Sequence, residues 1–325
     1  MINKSHFGKR ISALRRKTGF SQVELAGKLG VTAQAVSKWE CGTAMPDIDL
    51  LLELSLLYHI TINQMLEEAN MIYELTGHKA DADGIAYFTS KSESNRNIVW
   101  AQEMEQGEWI KHNWEKAQNT DSTMDSVGQK IASLGGVIVE IGAGPGGGYM
   151  PYILKADADS TVIVSDISPT VVSEWKVHLD KVIASPNLSY AVFNFCQMPF
   201  PNNSIDVISD GGVIGNCEHG SKSQALKEAY RVLKPGGVLI TSTGFVNKET
   251  LAALPADVQR ILLEKRPDIF EDLYVDTVLA GFHQIDSMIG GGWYTEDDDS
   301  EIAGLARSLG VNLKFTSYIR YCVKS

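Results

Sequence analysis

The sequence predicts an α/β protein in two parts: an all-α N-terminal domain, then a doubly wound domain with a parallel sheet. In the first part, up to Leu66, apolar residues recur at helical spacing. From Gly135 onward, short apolar runs alternate with helix-length segments, as in βαβ units. A chain of 325 residues that is 44% hydrophobic can also bury two cores.

The charge of the chain divides in a similar place. Residues 1–46 hold eight Lys and Arg against two acidic residues, a net charge of +6. Because the whole chain carries −11, the remaining residues carry −17. A basic head on an acidic body predicts that only the N-terminal part contacts a polyanion such as nucleic acid.

Composition also bounds the compartment and the cofactors. The sequence contains no run of about 18 apolar residues that could span a membrane, and it starts without the apolar segment of a secretory signal. The four cysteines are scattered, with no metal-ligand spacing. We therefore expect a cytoplasmic protein with no membrane partner and no metal; the acidic run Glu296–Asp299 is read as a helix-capping feature.

Five short helices are predicted in the basic head, most of them starting at a polar capping residue. They run from about Phe7 to Gly19, from the capping box Ser21–Glu24 to Leu29, from Thr32 to Cys41, from Asp47 through a leucine-rich stretch, and over Ile62–Leu66. The second and third lie across a turn that contains Gly30. Two short helices joined in this way in basic surroundings are typical of a helix-turn-helix.

The run LRRKTGFSQVELAGKLGVTAQAVSKWECGTAMPDIDLLLEL resembles the Cro/repressor-like (XRE) helix-turn-helix domains. The resemblance implies binding to a double-stranded DNA operator, by default as a homodimer that reads two half-sites. It implies that Gln22 contacts a phosphate, that Gln34 reads an adenine edge and that Lys38 contacts phosphate. The implied DNA-binding residues are Gln22, Thr32, Ala33, Gln34, Ser37 and Lys38. A domain of this kind that serves only in protein interaction is the alternative.

Residues 69–99 are polar and are predicted to form a linker, most clearly at TSKSESNRN. The segment after it has a helical composition and contains Trp100, Trp109 and Trp114. These tryptophans either dock the segment on the next domain or form a lid over a substrate pocket. The sequence leaves both interpretations open.

Five apolar runs are predicted to be the strands of the α/β domain. They are residues 137–141, 161–166, 188–193, 205–209 and 237–243. Ligands of such sheets bind outside the carboxyl ends of the strands.

The first of these strands runs into a glycine-rich turn, from Glu140 to Gly148. Glycines at this point let a ligand approach the main chain, and the following helix offers free N–H groups. The turn alone would serve NAD, FAD or S-adenosylmethionine. Asp166 ends the second strand, where a carboxylate can hold both ribose hydroxyls. An acidic residue at Glu140 favours a ligand with a cationic amine and a sulfonium over a dinucleotide.

In order and spacing, VIVEIGAGPGGG, VIVSDISP, FNFCQMPFPNNSIDVIS and EAYRVLKPGGVLI resemble the class I S-adenosylmethionine-dependent methyltransferases with a Rossmann-like fold, of the small-molecule type. The resemblance implies that Gly142 and Gly144 face the methionine part, that Glu140 organises the loop and the amine, and that Asp166 holds the ribose. It implies adenine contacts by Ile167 and by Asn194, which stands where the family commonly has Asp. The implied cofactor-binding residues are Glu140, Gly142, Ala143, Gly144, Asp166, Ile167, Asn194, Phe195 and Asp210.

These resemblances predict three segments. Residues 1–68 are the helix-turn-helix domain, 69–99 the linker and 100–325 the methyltransferase domain, with an inserted cap at about 247–297. Within the cap, GGGWY is predicted to be a turn. The alternating sequence VNLKFTSYIRYCVK is predicted to supply the edge strand pair that closes the sheet.

Methyl transfer needs an acceptor held in line and, for O–H or N–H acceptors, a base. His219, after the fourth strand, is the candidate base, although a helix-capping or surface role explains this histidine better. Three functions follow: a regulator fused to an active methyltransferase, a regulator that only senses S-adenosylmethionine, and a DNA methyltransferase. The third is disfavoured, because residues 209–212 (SDGG) offer no aromatic side chain to stack a flipped base.

Overall fold

The computed structural model describes residues 4–66, 71–89, 106–119, 122–183, 185, 187–217, 221–297 and 301–325. The N-terminal head contains five helices. They are α1 (Lys4–Lys17), α2 (Gln22–Lys28), α3 (Ala33–Glu40), α4 (Ile48–Tyr58) and α5 (Ile62–Leu66).

The three predicted caps of the head are present. Ser21 and Glu24 form a capping box at the start of α2. The side chain of Thr32 accepts a hydrogen bond from the Ala35 N–H, and Asp47 accepts one from the Leu50 N–H. These side chains satisfy N–H groups that the first turn of a helix leaves free, which fixes where each helix begins.

The head has its own hydrophobic core, built by one face of each helix. Fully buried members include Phe7, Ile11, Leu25, Val36 and Leu54. Helices α1 and α3 approach so closely that a methyl group on Gly8 would overlap the main-chain carbonyls of Trp39 and Glu40. Helix α3, the predicted recognition helix for DNA, therefore packs directly on α1.

An eight-stranded sheet organises the rest of the chain, in the order β1-β4-β3-β2-β5-β6-β8-β7. The strands from β1 to β6 in this order pair in parallel, and β8 pairs antiparallel with both β6 and β7. The strands are β1 (Ile85–Tyr87), β2 (Val137–Ile141), β3 (Thr161–Asp166), β4 (Leu188–Val192), β5 (Ile205–Asp210), β6 (Leu233–Val246), β7 (Gln284–Tyr294) and β8 (Lys314–Val323). The chain order reverses between β2 and β5, which is where a doubly wound sheet binds its ligand.

Helices cover both faces of this sheet. They are α6 (Met71–Thr76), α7 (Gln106–Asn119), α8 (Thr123–Leu134), α9 (Met150–Ala156), α10 (Pro169–Val182), α11 (Val213–Asn216), α12 (Ser221–Val232), α13 (Lys248–Ala252), α14 (Ala256–Lys265), α15 (Tyr274–Leu279) and α16 (Glu301–Ser308). Helices α7 to α10 contribute to the core on one face, and α6, α12 and the residues flanking α15 to the core on the other. A smaller core joins α14 and α16 to the end of β6.

The predicted linker at 69–99 is wrong in part. Strand β1 pairs in parallel with β4, and Ile72 of α6 is fully buried in the core of the sheet. The N–H of Met71 also donates to the Ser189 hydroxyl. The α/β unit thus begins by Met71, because these apolar residues cover an edge of the sheet that would otherwise stay open. Of the run TSKSESNRN, only Thr89 lies within the described residues.

The predicted cap at 247–297 is also too long. Its last part is β7, so the GGGWY run lies in a strand and not in a turn. Strand β8 is an interior strand between β6 and β7, and β7 takes the edge. A register shift between Ile289 and Gly291 accommodates the glycines within the pair. The helical part of the cap thus ends at α15.

No helix within the described ranges is both long enough and apolar enough to cross a bilayer.

Candidate functional site

The glycine-rich loop leaves β2 at the carboxyl edge of the sheet and leads into α9. Four of its glycines, Gly142, Gly144, Gly147 and Gly148, have positive φ angles between 54° and 79°. Residues other than glycine rarely adopt this backbone conformation, so the loop can take its shape because these positions are glycines. The main chain of the loop therefore stays bare where a ligand can reach it.

Glu140 lies beneath this loop and has no solvent-exposed surface. One carboxyl oxygen accepts a hydrogen bond from the Ser209 hydroxyl. The other, Oε1, accepts no hydrogen bond of good geometry within the described residues, although the main-chain N–H groups of Tyr149 and Gly211 lie near the carboxyl, and a methyl group on Gly148 would overlap Oε1. Burial raises the pKa of Glu140 well above its ordinary value, and the Ser209 hydroxyl and these N–H groups only partly oppose this.

Asp166 ends β3 beside the same loop. Its Oδ2 accepts from the Gly144 N–H at 2.9 Å, and its Oδ1 accepts from the Ser168 N–H at 2.8 Å. Burial raises its pKa, against the effect of these N–H donors. Each oxygen keeps a second lone pair, so the carboxylate can brace the loop and still accept from a ribose hydroxyl.

The loop is also held from α10 and α7. The indole N–H of Trp175 donates to the Gly144 carbonyl at 2.7 Å, and the Asn113 amide donates to the Pro145 carbonyl at 3.2 Å. The Ala143 N–H donates to the Ser165 carbonyl on β3. These bonds fix the loop before any ligand arrives.

The residues expected at the adenine follow the next strands. Ile167 is half-buried directly after Asp166. Asn194 is exposed, but its carbonyl oxygen accepts from the Cys196 N–H and caps a 3₁₀ turn, Phe195–Gln197. Phe195 packs against the core on that face. The amide oxygen of Asn194 is thus already engaged, although its second lone pair stays available.

Asp210, predicted to bind the cofactor, is engaged in hydrogen bonds within the protein, and its contact with the cofactor stays a prediction. Its carboxylate is fully buried and accepts from the N–H groups of Gly212 and Val213 and from the Thr241 hydroxyl. Burial raises its pKa to about 6. Asp210 thus fixes the start of α11, a role that the sequence does not distinguish from ligand binding.

The predicted base, His219, lies outside the described residues. Residues 211–217 come before it, and the one titratable side chain in this stretch is Cys217. Its thiol donates to the Ile214 carbonyl, and burial raises its pKa to about 11.

The two open interpretations of the tryptophan segment can be compared on α7. Trp114 is buried and packs edge-on against the His178 ring on α10. Trp109 is 44% exposed. Trp114 therefore docks the helix, Trp109 leaves the lid interpretation open, and Trp100 lies outside the described residues.

The recognition helix presents part of its predicted DNA surface. Thr32, Gln34 and Lys38 are exposed, and Ala33 and Ser37 are half-buried. Val36 and Trp39 face the core, as the helical spacing predicts.

The side chain of Gln22 is engaged in a hydrogen-bond network within the head. Its amide donates to Glu40 at 2.8 Å, and Arg15 pairs with both oxygens of the same carboxylate. Arg15 also donates to the Phe20 carbonyl. The network joins α1, α2 and α3, so Arg15 contributes less to the basic surface than its charge suggests.

Two residues of the site were missed from sequence. Ser209 is the hydrogen-bond partner of Glu140, and Tyr149, directly after Gly148, is fully buried with no hydrogen bond for its hydroxyl in the described part of the chain. The position of Tyr149 at the end of the glycine run is the signal that could have found it.

The loop fits the methionine end of S-adenosylmethionine. Oε1 of Glu140 is a buried acceptor without a hydrogen bond of good geometry in the described residues, and a cationic amine would supply one. Gly148 has no side chain that would overlap this oxygen. In the described residues, no group of three or more His, Cys, Asp and Glu side chains could hold a metal ion.

Comparison with known families divides the chain into two matched segments. Residues 11–64 match a helix-turn-helix family, and residues 139–241 match a methyltransferase-domain family. The second segment covers β2 to the middle of β6, including the glycine loop and Asp166.

Curated methyltransferases match about a third of the chain. A ubiquinone/menaquinone biosynthesis C-methyltransferase of Methylococcus capsulatus is 30% identical over 103 residues, which is 32% of this chain and 41% of the relative. A mitochondrial 2-methoxy-6-polyprenyl-1,4-benzoquinol methylase of Caenorhabditis elegans is 35% identical over 99 residues, 30% of this chain and 34% of the relative. The chain thus spans about two fifths or less of the length of these relatives.

Among solved structures, phosphoethanolamine N-methyltransferase 2 of Haemonchus contortus in complex with S-adenosyl-L-methionine is similar at 17% identity and a TM-score of 0.46. The match covers 73% of this chain and 60% of that one.

Proposed function

The chain joins a helix-turn-helix domain to a methyltransferase domain, and we propose that it is a DNA-binding regulator that also transfers a methyl group from S-adenosylmethionine to a small-molecule acceptor. The head binds a double-stranded operator and the α/β domain binds the methyl donor. A role on DNA requires the compartment that holds it, so the proposed location is the cytoplasm. From the curated relatives we take only the reaction class, because the shared segment covers about a third of this chain and two fifths or less of each relative.

The observation that carries the proposal is the buried carboxyl of Glu140 beneath the bare loop. Burying an acid without a partner for one oxygen is costly, and a protein keeps such a group where a ligand completes it. The amine of the methionine moiety is a cation of the right charge. A phosphate ligand would instead meet repulsion at this point.

In this proposal, the residues of this chain act by binding and orienting S-adenosylmethionine. Glu140 pairs with the amine, the bare main chain at Gly142 and Gly144 lies along the methionine moiety, and Asp166 holds the ribose. S-adenosylmethionine itself supplies an electrophilic methyl group on a sulfonium. Because the loop is already braced by Trp175, Asn113 and Asp166, little ordering has to accompany binding.

Two alanine variants in the same loop test the donor site. Gly148→Ala places a methyl group against Glu140 at a positive φ, whereas Gly146→Ala meets no atom within 4 Å. We expect titration calorimetry to show a loss of S-adenosylmethionine affinity of about tenfold or more in Gly148→Ala and a change within about twofold in Gly146→Ala. Equal affinities of the two variants would contradict the proposed site.

A second function, sensing of S-adenosylmethionine without methyl transfer, is favoured by the region after β5. Asp210 is engaged internally, and the Cys217 thiol, with its raised pKa, is a poor base. Transfer of a radiolabelled methyl group into a metabolite extract supports the enzyme. No transfer, combined with an operator affinity that changes on adding S-adenosylmethionine, supports the sensor.

The proposed assembly is a homodimer, and α4 supplies a surface for it. Ile48, Leu52 and Leu56 follow one another at helical spacing and are 75%, 52% and 67% exposed. Asp49 and Glu53 flank this stripe, so it does not suit a DNA backbone. An antiparallel contact with α4 of a second copy would cover the stripe and bring Asp49 of each copy toward His59 of the other.

A further inference from the structure

Three strands of the sheet continue beyond the edge where the cofactor loop lies. Strand β5 makes its last pair with β6 between Asp210 and Thr241, yet β6 runs on to Val246. Strands β8 and β7 accompany this extension. It therefore forms a wall beside the proposed donor site, on the side of β5 away from β2.

The wall has two buried rows with a gap between them. Side chains of a strand alternate between faces, so Ile240, Ser242, Gly244 and Val246 share one face. Ile240 belongs to the main core of the sheet, and Val246 belongs to the smaller core under the cap. The row between them contains Gly244 and its partner Ser317. Because both residues are small, they leave a depression between the two buried rows, and this depression is the gap.

Trp293 of β7 reaches into this gap. Its indole lies over Gly244, where a methyl group would overlap the ring, and it stacks on Phe315 at 5.0 Å and 9° between planes. Phe315 is 4% exposed, whereas Trp293 is 39% exposed. The part of the indole that Phe315 and Gly244 leave uncovered is thus an aromatic surface open to a ligand.

Hydroxyl groups lie at the base of the same gap. Ser242 and Ser317 are joined by a hydrogen bond of 3.2 Å. The hydroxyl of Tyr149 is fully buried, and Ser242 is its hydrogen-bond neighbour, although this contact falls short of good hydrogen-bond geometry. Since Tyr149 directly follows Gly148, this cluster connects the aromatic surface with the loop of the proposed donor site.

The charge of the gap restricts what it can hold. None of Ser242, Gly244, Ser317 and Trp293 is charged, and the acids nearest to Tyr149 include Glu140 and Asp210. A carboxylate or phosphate would be buried here without a counter-charge. A neutral ring can stack on the indole and exchange hydrogen bonds with the hydroxyls.

We propose that this gap is the acceptor site and that the acceptor is a neutral, planar aromatic compound carrying a hydroxyl group. The indole of Trp293 stacks on its ring, and Ser242, Ser317 and Tyr149 bind its oxygen. This proposal rests on the proposed function, because it places the acceptor next to the donor loop.

The test measures binding, without catalysis, of 2-naphthol to the full chain saturated with S-adenosylhomocysteine. We expect Trp293→Leu to weaken 2-naphthol binding about tenfold and Trp293→Phe to weaken it less than about threefold. Tyr73→Leu, at an exposed tyrosine of α6 near the opposite edge of the sheet, should leave it unchanged. Naphthalene-2-carboxylate should bind at least about tenfold more weakly than 2-naphthol.

The outcomes separate this proposal from the one on which it rests. Unchanged 2-naphthol binding in Trp293→Leu, equal binding of the carboxylate, or no 2-naphthol binding by a chain that binds S-adenosylhomocysteine would overturn the acceptor site. Loss of S-adenosylhomocysteine binding by the unmodified chain would instead refute the proposed function. In the variants, retained S-adenosylhomocysteine affinity shows that the domain is folded.

Discussion

In the ligand-free protein, the buried surroundings of Glu140 disfavour ionisation of its carboxyl group. Its native pKa is raised, so between about pH 4.3 and the native pKa the unfolded chain releases its proton first. The protein therefore loses stability as the pH rises through this range. Binding a cationic amine offsets the cost, which couples ligand affinity to the ionisation of one residue.

Glu140→Gln should separate stability from binding. The variant keeps the shape and can still accept from Ser209, but it carries no buried charge. We expect its urea midpoint to exceed that of the unmodified chain at pH 8 and to approach it at pH 4.5, while its S-adenosylmethionine affinity falls about tenfold or more. A variant that is less stable at pH 8, or that binds equally well, would count against this role of Glu140.

On the recognition helix, Gln34 and Lys38 should differ in what they contribute. Gln34→Ala should relax base discrimination by about 1–3 kcal/mol at one position of a selected operator. Lys38→Ala should weaken all sequences alike and reduce the slope of log K against log salt by about 1. Fluorescence anisotropy over a salt series measures both, and identical effects of the two changes would contradict the assignment.

Sequence patterns identify some of these residues better than others. Glu140, Gly142, Gly144 and Asp166 follow from a strand, a glycine turn and a second strand, and the structure brings them together. Asp210 follows from the same logic, but only the fold shows that its oxygens accept hydrogen bonds from main-chain N–H groups and from Thr241.

At the scale of elements, the contact of α1 with α3 decides whether the recognition helix is held in place. Gly8→Ala should destabilise the head and abolish operator binding, because the methyl group meets main-chain carbonyls that cannot move aside. Gly27→Ala on α2 meets no atom within 4 Å and should stabilise its helix by up to about 1 kcal/mol. Thermal unfolding and anisotropy measure these effects, and S-adenosylmethionine binding should survive in both variants. Intact operator binding by Gly8→Ala would contradict the packing.

The apolar stripe of α4 gives a matched test of assembly. Leu52→Glu should convert a dimer into a monomer in sedimentation equilibrium, since two charges would face each other across the contact. Leu263→Glu, at a 46% exposed leucine of α14, is the control and should leave the mass unchanged. A monomeric unmodified chain would contradict the proposed dimer, and a dimeric Leu52→Glu variant would show that the contact lies elsewhere.

Elements with a regular pattern of apolar residues can be predicted from the sequence, whereas elements defined only by pairing with distant strands cannot. The buried strands β2 and β3 have the predicted bounds, since continuous apolar runs are typical of parallel strands covered on both faces. Strand β1 has three residues and no period, so only its pairing with β4 defines it. In β7 the three glycines suggested a turn, but pairing with β8 holds them extended.

For the whole molecule, we propose two binding functions for two parts with opposite charge. The net +6 of residues 1–46 suits a polyanion, and the −17 of the rest repels one, so the head alone should meet DNA. The acidic body can still bind a cationic nucleoside at one buried carboxyl. This division explains how a chain with a net charge of −11 can be a DNA-binding protein.

The most direct test of this account is a crystal structure of the full chain grown with S-adenosylhomocysteine. We expect one ligand per chain at the carboxyl ends of β2 and β3. Its amine should lie within hydrogen-bond distance of Oε1 of Glu140, and its ribose hydroxyls should contact Asp166. A ligand bound elsewhere, or crystals from saturated solution in which Glu140 and Asp166 keep only their present partners, would contradict it.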